Sequence, residues 1–547
     1  MARVEVRSRH PPGPVRAYRA AQRPDGTLGH VGTGNSDRSA VTPSLLIVAI
    51  VAVAIGVVLR FVALSPMWLD EAISASLAGV VTEDTTGGWS ALVEALRHDG
   101  HPPLYYVLLA LWSVPFGESD GALRAFSGVL GVVSLPLAWL VARRHLDRRG
   151  CVLVVSVLAS SPFAVRYATE ARMYTLLLAL LLALHLAVVR VWERPSVLRS
   201  AVLAGVVAAL LLTHYWSLFA IAVLGTTGLV AGTRNGRRAI RQASYLVGAV
   251  VAGSLAFLPW LPVFLDQLAH TGTPWSPAPR PTVVAALTLE AYGGGRGSEA
   301  LLVVVVLAVL VAVGLGCRAG SDRPVLGWTD LVWLQVAVAL GVTTMTLGAS
   351  VSLITDTAFQ GRYGVFALVP MVLACAVGLH RMTPRTSVAA LVVLVLLSGT
   401  SVARELSRGR TQIGEIADVV RAEGSDGDVV VFCPDQLAPA GHRLLADRFT
   451  TLSHPALDDG RRVDWVDYAE RNGAVDVEAV ADAVAARAAG VDNVWLAWMD
   501  GYETFEGQCP RLRVALADRL GLPSKAVYAD ADEFDDSANL SRFPGGS

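Results

Sequence analysis

The chain has 547 residues, of which 53% are hydrophobic and only 17% charged, with a mean hydropathy of +0.50. Those values lie beyond the range of soluble globular proteins and describe a polytopic membrane protein. A formal net charge of -1 offers no basic surface for nucleic acid, so that partner class is set aside.

In chain order, residues 1–43 are rich in Arg, Pro and Gly and lack an apolar core, which predicts a disordered basic cytoplasmic tail and not a cleavable signal. Apolar stretches near 44–64, 121–142, 151–165, 174–192, 199–216, 217–233, 243–264, 299–317, 330–353, 363–380 and 386–403 each approach the roughly 20 residues needed to cross a bilayer. They predict about eleven spans. Leu104 to Phe116 is too short, since about 13 residues at 1.5 Å each reach only about 20 Å, and is read as a helix lying against the membrane or dipping into it.

Charge fixes the parity of the spans. Arg143, Arg144, Arg148 and Arg149 mark one loop as cytoplasmic, and Arg190, Arg194 and Arg199 a second. Arg234, Arg237, Arg238 and Arg241, then Arg318 with Arg323 and Arg381 with Arg385, continue the series on the side of the N-terminal tail. This topology places 64–121, 166–174, the His214-Tyr215-Trp216 turn, 266–299 and 355–363 on the outer side. The fold class expected is therefore an all-α polytopic membrane domain, residues 44–403, followed by an extracytoplasmic soluble α/β domain, residues 404–547. In that domain, apolar runs at 429–432 and 494–498 read as strands, and 436–447 and 477–489 as helices. Cys433 and Cys509 both fall there, so a disulfide between them is expected.

The polar residues with chemical promise collect at the outer mouths of the spans. Asp70-Glu71 follows the first span, and His98-Asp99-Gly100-His101-Pro102-Pro103 precedes Tyr105 and Tyr106, with Glu118 and Arg124 entering the second span. A carboxylate beside an imidazole can take a proton from a hydroxyl or help bind a divalent cation. An isolated acidic pair after a span is usually a solvated loop, and isolated histidines are usually surface residues. Here both recur on one face with arginines.

Arg172, in Glu170-Ala171-Arg172-Met173-Tyr174, begins a span, where a cation is costly unless it meets an anion or lines a polar cavity. It can bind a lipid phosphate, pair with Glu170 or snorkel to the headgroups. Gln360-Gly361-Arg362-Tyr363 repeats the arrangement, and Arg60 is a third cation or a partner for Asp70. His214-Tyr215-Trp216 and Trp275 read first as aromatics of the interfacial belt. Gly293-Gly294-Gly295 reads as a flexible loop, Asp530-Ala531-Asp532-Glu533 as a solvated acidic run, and Trp495 and Trp498 as core aromatics before glycan-stacking ones.

Together, Trp68-Leu69-Asp70-Glu71, His101-Pro102-Pro103-Leu104-Tyr105-Tyr106, Leu123-Arg124, Glu170-Ala171-Arg172-Met173-Tyr174 and Arg362-Tyr363 resemble polytopic glycosyltransferases of the GT-C superfamily. The resemblance is to the family 39 type, which includes protein O-mannosyltransferases and lipid A aminoarabinose transferases, and it covers residues 44–403. The added outer domain is reminiscent of actinobacterial cell-envelope enzymes.

The resemblance implies an inverting transferase that moves a sugar from a polyprenyl-phosphate donor to a hydroxyl of a glycan, lipid or protein acceptor, outside the cytoplasmic membrane. Carried onto this chain, Asp70 is the general base and Glu71 supports it. Arg172, Arg362, His101 and Arg60 bind the donor phosphate, and Tyr105, Tyr106, Glu170, Tyr174, His214 and Tyr363 contact substrate. Metal dependence is left open, with Asp70, Glu71 and His101 as ligands of a divalent cation if one is used. The competing expectation is a transporter or flippase of lipid-linked glycans, whose polar residues would run through the depth of the spans.

Overall fold

The computed structural model describes residues 41–83, 88–234, 236–273, 279–318 and 325–546. The N-terminal tail through residue 40 and Trp275 lie outside the described residues.

Among the described residues, seven helices are long and apolar enough to cross a membrane: Asp120–Ala142, Tyr174–Glu193, Gly236–His270, Ser298–Gly316, Val332–Ile354, Gly361–Arg381 and Pro384–Ser407. A further pair of apolar helices, Arg148–Ala159 and Pro162–Thr169, is bent by 58°, the geometry of a broken span or a re-entrant loop. The break has a local cause: Ser161 caps the second helix through the Ala164 N–H, and Pro162 occupies its first turn, where a missing N–H costs nothing. Shorter apolar helices, Pro43–Leu59, Val197–Leu211 and Ser217–Thr233, fall where the sequence predicts further spans, and Leu104–Phe116 remains a 13-residue helix.

Two helices between the first spans, Leu69–Glu83 and Gly88–Arg97, go beyond the sequence reading. So does Pro281–Gly293, where Gly294 at φ 90° ends the helix, so the glycine run acts as a C-cap as well as a loop.

The C-terminal region is α/β. Its strands are β1 Gly409–Thr411, β2 Val429–Cys433, β3 Thr450–Ser453, β4 Asn493–Trp498, β5 Ser524–Val527, β6 Phe534–Asp536 and β7 Asn539–Pro544. Five form a mixed sheet in the order β3-β2-β4-β7-β5, with β3, β2 and β4 parallel and β7 antiparallel to both β4 and β5. The two-residue period of the strands sends alternate side chains to opposite faces. Val430, Phe432, Trp495 and Ala497 join the core under helices Ile413–Glu423 and Ala438–Leu445. Val429, Val431, Cys433, Val494 and Leu496 join the core under Val477–Arg487 and Gln508–Leu520.

A Cys433–Cys509 disulfide with Cα atoms 5.5 Å apart ties β2 to the last of these helices. Trp495 is fully buried, with its Nε1–H on Asp428, and Trp498 donates to the Ser541 hydroxyl.

This region is packed onto the helical core. Val463, Tyr468 and Phe505 are buried in the same apolar cluster as the helices of the bundle. Polar contacts ring that seam: His98 Nδ1 to Asp464 at 2.7 Å, Arg443 Nε to Asp120 at 2.7 Å and His270 Nδ1 to Asp467 at 3.1 Å.

Candidate active site

Asp70 and Glu71 stand in the first turn of helix Leu69–Glu83, where their charge complements the free N–H groups of the helix start. Though adjacent, they face different partners. Asp70 Oδ2 accepts from Arg362 at 2.6 Å and lies 3.6 Å from an Arg172 nitrogen. Arg172 also donates to the Asp70 carbonyl at 3.3 Å and to the Ser74 hydroxyl at 3.4 Å. The Asp70 side chain keeps 15% exposure and Arg362 16%, so the pair opens to solvent, whereas Glu71 at 0% is sealed.

Arg172 is itself 2% exposed, which rules out snorkelling, and its carboxylate partner is Asp70 instead of Glu170. Its second neighbour is His101, whose Nε2 lies 3.3 Å away. The His101 Nδ1 lies 2.8 Å from an Asp99 oxygen. The Tyr106 hydroxyl donates to the same Asp99 oxygen at 3.2 Å, while Tyr105 meets Ser127 at 3.1 Å. The result is a continuous chain, Asp99–His101–Arg172–Asp70–Arg362.

Burial alone would raise the Asp70 carboxyl, but Arg172, Arg362 and His101 outweigh it and hold the group below the usual carboxylate range. Asp99 behaves alike, with burial opposed chiefly by His101. His214 is driven well below the usual histidine range, first by burial and then by neighbouring His101, Arg172 and Arg362, so it is neutral at pH 7. Its Nδ1 accepts from the Trp216 N–H at 3.1 Å, leaving Nε2–H as a donor among Tyr174, Tyr363 and Phe366.

His214 and Trp216 are buried at 5% and 8% exposure, so they form an inner wall and not the interfacial belt expected from sequence. The Arg362 guanidinium lies 5.9 Å from the ring centres of both Trp68 and Tyr174.

Four expectations are corrected. Arg60 does not pair with Asp70: its guanidinium donates to the Gly56, Leu158 and Ala159 carbonyls at 2.6, 3.0 and 3.0 Å. Arg60 thus ties its own helix to the carbonyls at the end of helix Arg148–Ala159. Glu71, expected to support Asp70 or help hold a cation, has no free oxygen for a cation, because Arg124 grips both its oxygens at 2.7 Å, Ala171 N–H adds 2.9 Å and Arg410 adds 3.3 Å. Glu170, 1% exposed, turns to Arg166 at 3.3 Å, and Arg166 in turn pairs with Glu405. Finally, Asp70, Glu71 and His101 do not assemble as ligands. Among the described residues no three His, Cys, Asp or Glu side chains converge on a common point.

Sequence reasoning missed Asp99 as a member and Arg410 altogether. Asp99 was signalled by its place between two histidines. Arg410 lies 339 residues from Glu71, and nothing local marks it.

Residues 100–262 match the family model described as dolichyl-phosphate-mannose-protein mannosyltransferase, a segment that holds His101, Arg124, Arg172 and His214. Among solved structures, the chain is similar to ArnT from Cupriavidus metallidurans bound to undecaprenyl phosphate, at 14% identity and a TM-score of 0.46, over 92% of this chain and 98% of that one. It is similar to arabinofuranosyltransferase AftD from Mycobacteria at 15% identity and a TM-score of 0.47, over 93% of this chain and 42% of that one. The protein O-mannosyltransferase Pmt1-Pmt2 complex of S. cerevisiae, bound to the sugar donor, matches at 14% identity and a TM-score of 0.30, over 44% of this chain and 37% of that one. No curated protein matches the chain.

The fold is that of a polytopic, mostly helical membrane protein with a C-terminal α/β region. The segment similar to the mannosyltransferase model stops short of Asp70 and Arg362 on either side.

Proposed function

We propose that this protein takes a sugar from a polyprenyl-phosphate donor and places it on an acceptor hydroxyl of a cell-envelope glycan, lipid or protein. The site works on the outer face of the cytoplasmic membrane, opposite the arginine-rich loops. The observation that carries the reading is Asp70: a partly exposed carboxylate set against two arginines, Arg362 at 2.6 Å and Arg172 at 3.6 Å.

A reaction of this kind needs one base and a site for a phosphate leaving group. The acceptor oxygen forms a bond to the anomeric carbon as its proton passes to Asp70. The bond from that carbon to the phosphate oxygen breaks, and the polyprenyl phosphate leaves with the electron pair. Arg172 and Arg362 take up the charge on that phosphate. Because the same guanidinium protons hold Asp70, a seated phosphate competes for them and loosens that hold, so the carboxylate becomes more basic when the donor is in place. The neutral His214 and the tyrosines Tyr174 and Tyr363 supply donors and aromatic faces for the sugar. The leaving group departs without protonation, so no second carboxylate is required, in keeping with the burial of Glu71.

The test uses the purified full-length protein with a panel of undecaprenyl-phosphate pentoses and hexoses, offered with oligosaccharide and Ser/Thr-peptide acceptors. Transfer is expected from at least one donor, and Asp70→Asn is expected to lower it by about 10²-fold or more. Transfer that survives Asp70→Asn would remove the proposed base, and silence with every donor would return the case to a transporter.

A further inference from the structure

We propose that Arg410, contributed by the C-terminal region, is a positioning residue of the transferase site, so that this region is a working part of the site and not an appended module. The inference rests on the reading of Asp70 and Arg172 given above.

The geometry starts from two loops. One carries Ser65 to Glu71 and the other Arg166 to Arg172. Glu71 and Ala171 are joined by a 2.9 Å hydrogen bond, and each is the immediate chain neighbour of a residue of the ion pair, Asp70 and Arg172. Whatever fixes Glu71 against Ala171 therefore sets the distance between Asp70 and Arg172.

Arg410 spans both loops. Its Nη1 lies 3.3 Å from Glu71 and donates to the Thr169 carbonyl at 2.9 Å, while Nη2 donates to the Thr169 hydroxyl at 2.6 Å. Its own backbone N–H donates to the Ser65 hydroxyl at 2.9 Å. At 6% exposure, Arg410 is buried. Its planar fork serves two acceptors at once, which the single ammonium of a lysine cannot reproduce.

The base of this reach is rigid. Arg410 lies on β1, which pairs in parallel with β6 through Gly409–Phe534 and Thr411–Asp536, and Arg408 adds an ion pair to Asp535 at 3.2 Å. Close packing of Gly414 on Pro66, where an added Cβ would come within 2.6 Å of the proline ring, holds the same segment to the first loop.

A domain anchor and a positioning residue predict different kinetics. Misplacement of reacting groups by about 1 Å costs up to about 10²-fold in rate. Arg410→Lys keeps a charge near Glu71 and gives up Thr169. Thr169→Val removes the hydroxyl partner and leaves Arg410 intact.

With full-length protein and an undecaprenyl-phosphate sugar shown to be a donor, both variants are expected to lower kcat, by about 10- to 100-fold for Arg410→Lys and less for Thr169→Val, with the donor KM held within about threefold. The acid limb of the kcat profile is expected to move to higher pH. Asp70 is faced by Arg172, Arg362 and His101 and by the carboxyls of Asp99 and Asp536, and a slackened Arg172 lowers its pKa less.

Unchanged kcat and acid limb per folded molecule, with only a lower melting temperature, would make Arg410 an anchor and overturn the proposal. If Arg410→Lys does not fold, Thr169→Val decides by the same two readouts. Asp70→Asn run alongside separates the cases, since wild-type transfer by that variant would sink the reading of the base and not the role of Arg410 alone.

Discussion

Arg124 and Glu71 form a two-point ion pair, Nε to Oε1 and Nη2 to Oε2, each at 2.7 Å, with the carboxylate at 0% exposure. The remaining guanidinium protons go to the Ser65 and Pro66 carbonyls at 2.7 and 3.0 Å, so this one pair ties the end of the first loop to the mouth of a membrane helix.

Glu71→Ala is therefore expected to damage folding more than chemistry. It leaves Arg124 and Arg410 buried without an anion, and breaking a buried pair on one side typically costs about 3–5 kcal/mol. Thermal unfolding of the purified protein in detergent measures this. A melting temperature equal to wild type would show that Glu71 does not bind the loops together. Glu71→Gln, which keeps the acceptor oxygen for Ala171, should fall between the two.

Asp70→Asn should behave in the opposite sense toward the lipid. Removing the carboxylate frees Arg362 and Arg172 for a phosphate and removes a like charge beside it, so bare undecaprenyl phosphate should bind about tenfold more tightly, equivalent to about 1.4 kcal/mol. Microscale thermophoresis or a quenching titration reads the change. Weaker binding would mean that the phosphate does not use those arginines.

Arg60→Leu separates assembly from ligand binding. The guanidinium holds three carbonyls across two helices, and their loss as partners should lower thermal stability by several degrees. The dissociation constant for undecaprenyl phosphate should stay within about twofold in the molecules that remain folded. A tenfold loss of affinity would restore Arg60 to the phosphate site.

A pH effect arises in the C-terminal region. Asp435 is 9% exposed, accepts a 2.5 Å hydrogen bond from Tyr468, and is pushed by burial up to about 7. Its unfolded value is about 3.9, so between those values the folded protein binds more protons than the unfolded chain, and stability falls as pH rises through that window. Asp435→Asn removes the penalty while keeping an acceptor for Tyr468. It should raise the melting temperature by a few degrees at pH 8, by less at pH 5.5, and not at all below pH 4. A gain independent of pH would show that the carboxyl does not titrate in this range.

The layout of the site was legible where the signals are local. Apolar length marked the spans, and the cost of an arginine at a span mouth singled out Arg172 and Arg362, which meet at Asp70. Gly88–Arg97 was equally open to reading, because Trp89, Leu92, Val93 and Leu96 follow the i, i+3, i+4, i+7 spacing of an amphipathic helix.

What the sequence hid was the choice of partners. Arg60 and Arg172 look alike at the ends of apolar stretches, yet one meets backbone carbonyls 98 and 99 residues away and the other meets a carboxylate. Glu71 and Asp70 are neighbours whose side chains diverge because successive residues on a helix point about 100° apart. Only the packing decides which of the two is sealed.

The link between Glu71 and Arg410 also sets an order of events during synthesis. The two residues are separated by 339 positions, so at about 5–20 residues per second roughly 20–70 s pass between their appearance on the ribosome. Through that interval the nascent chain can hold Glu71 only with Arg124 and the Ala171 N–H, and the two loops lack the tie from Arg410. The site is closed by a residue made after every membrane-spanning helix, and a chain stalled before residue 410 ends without it.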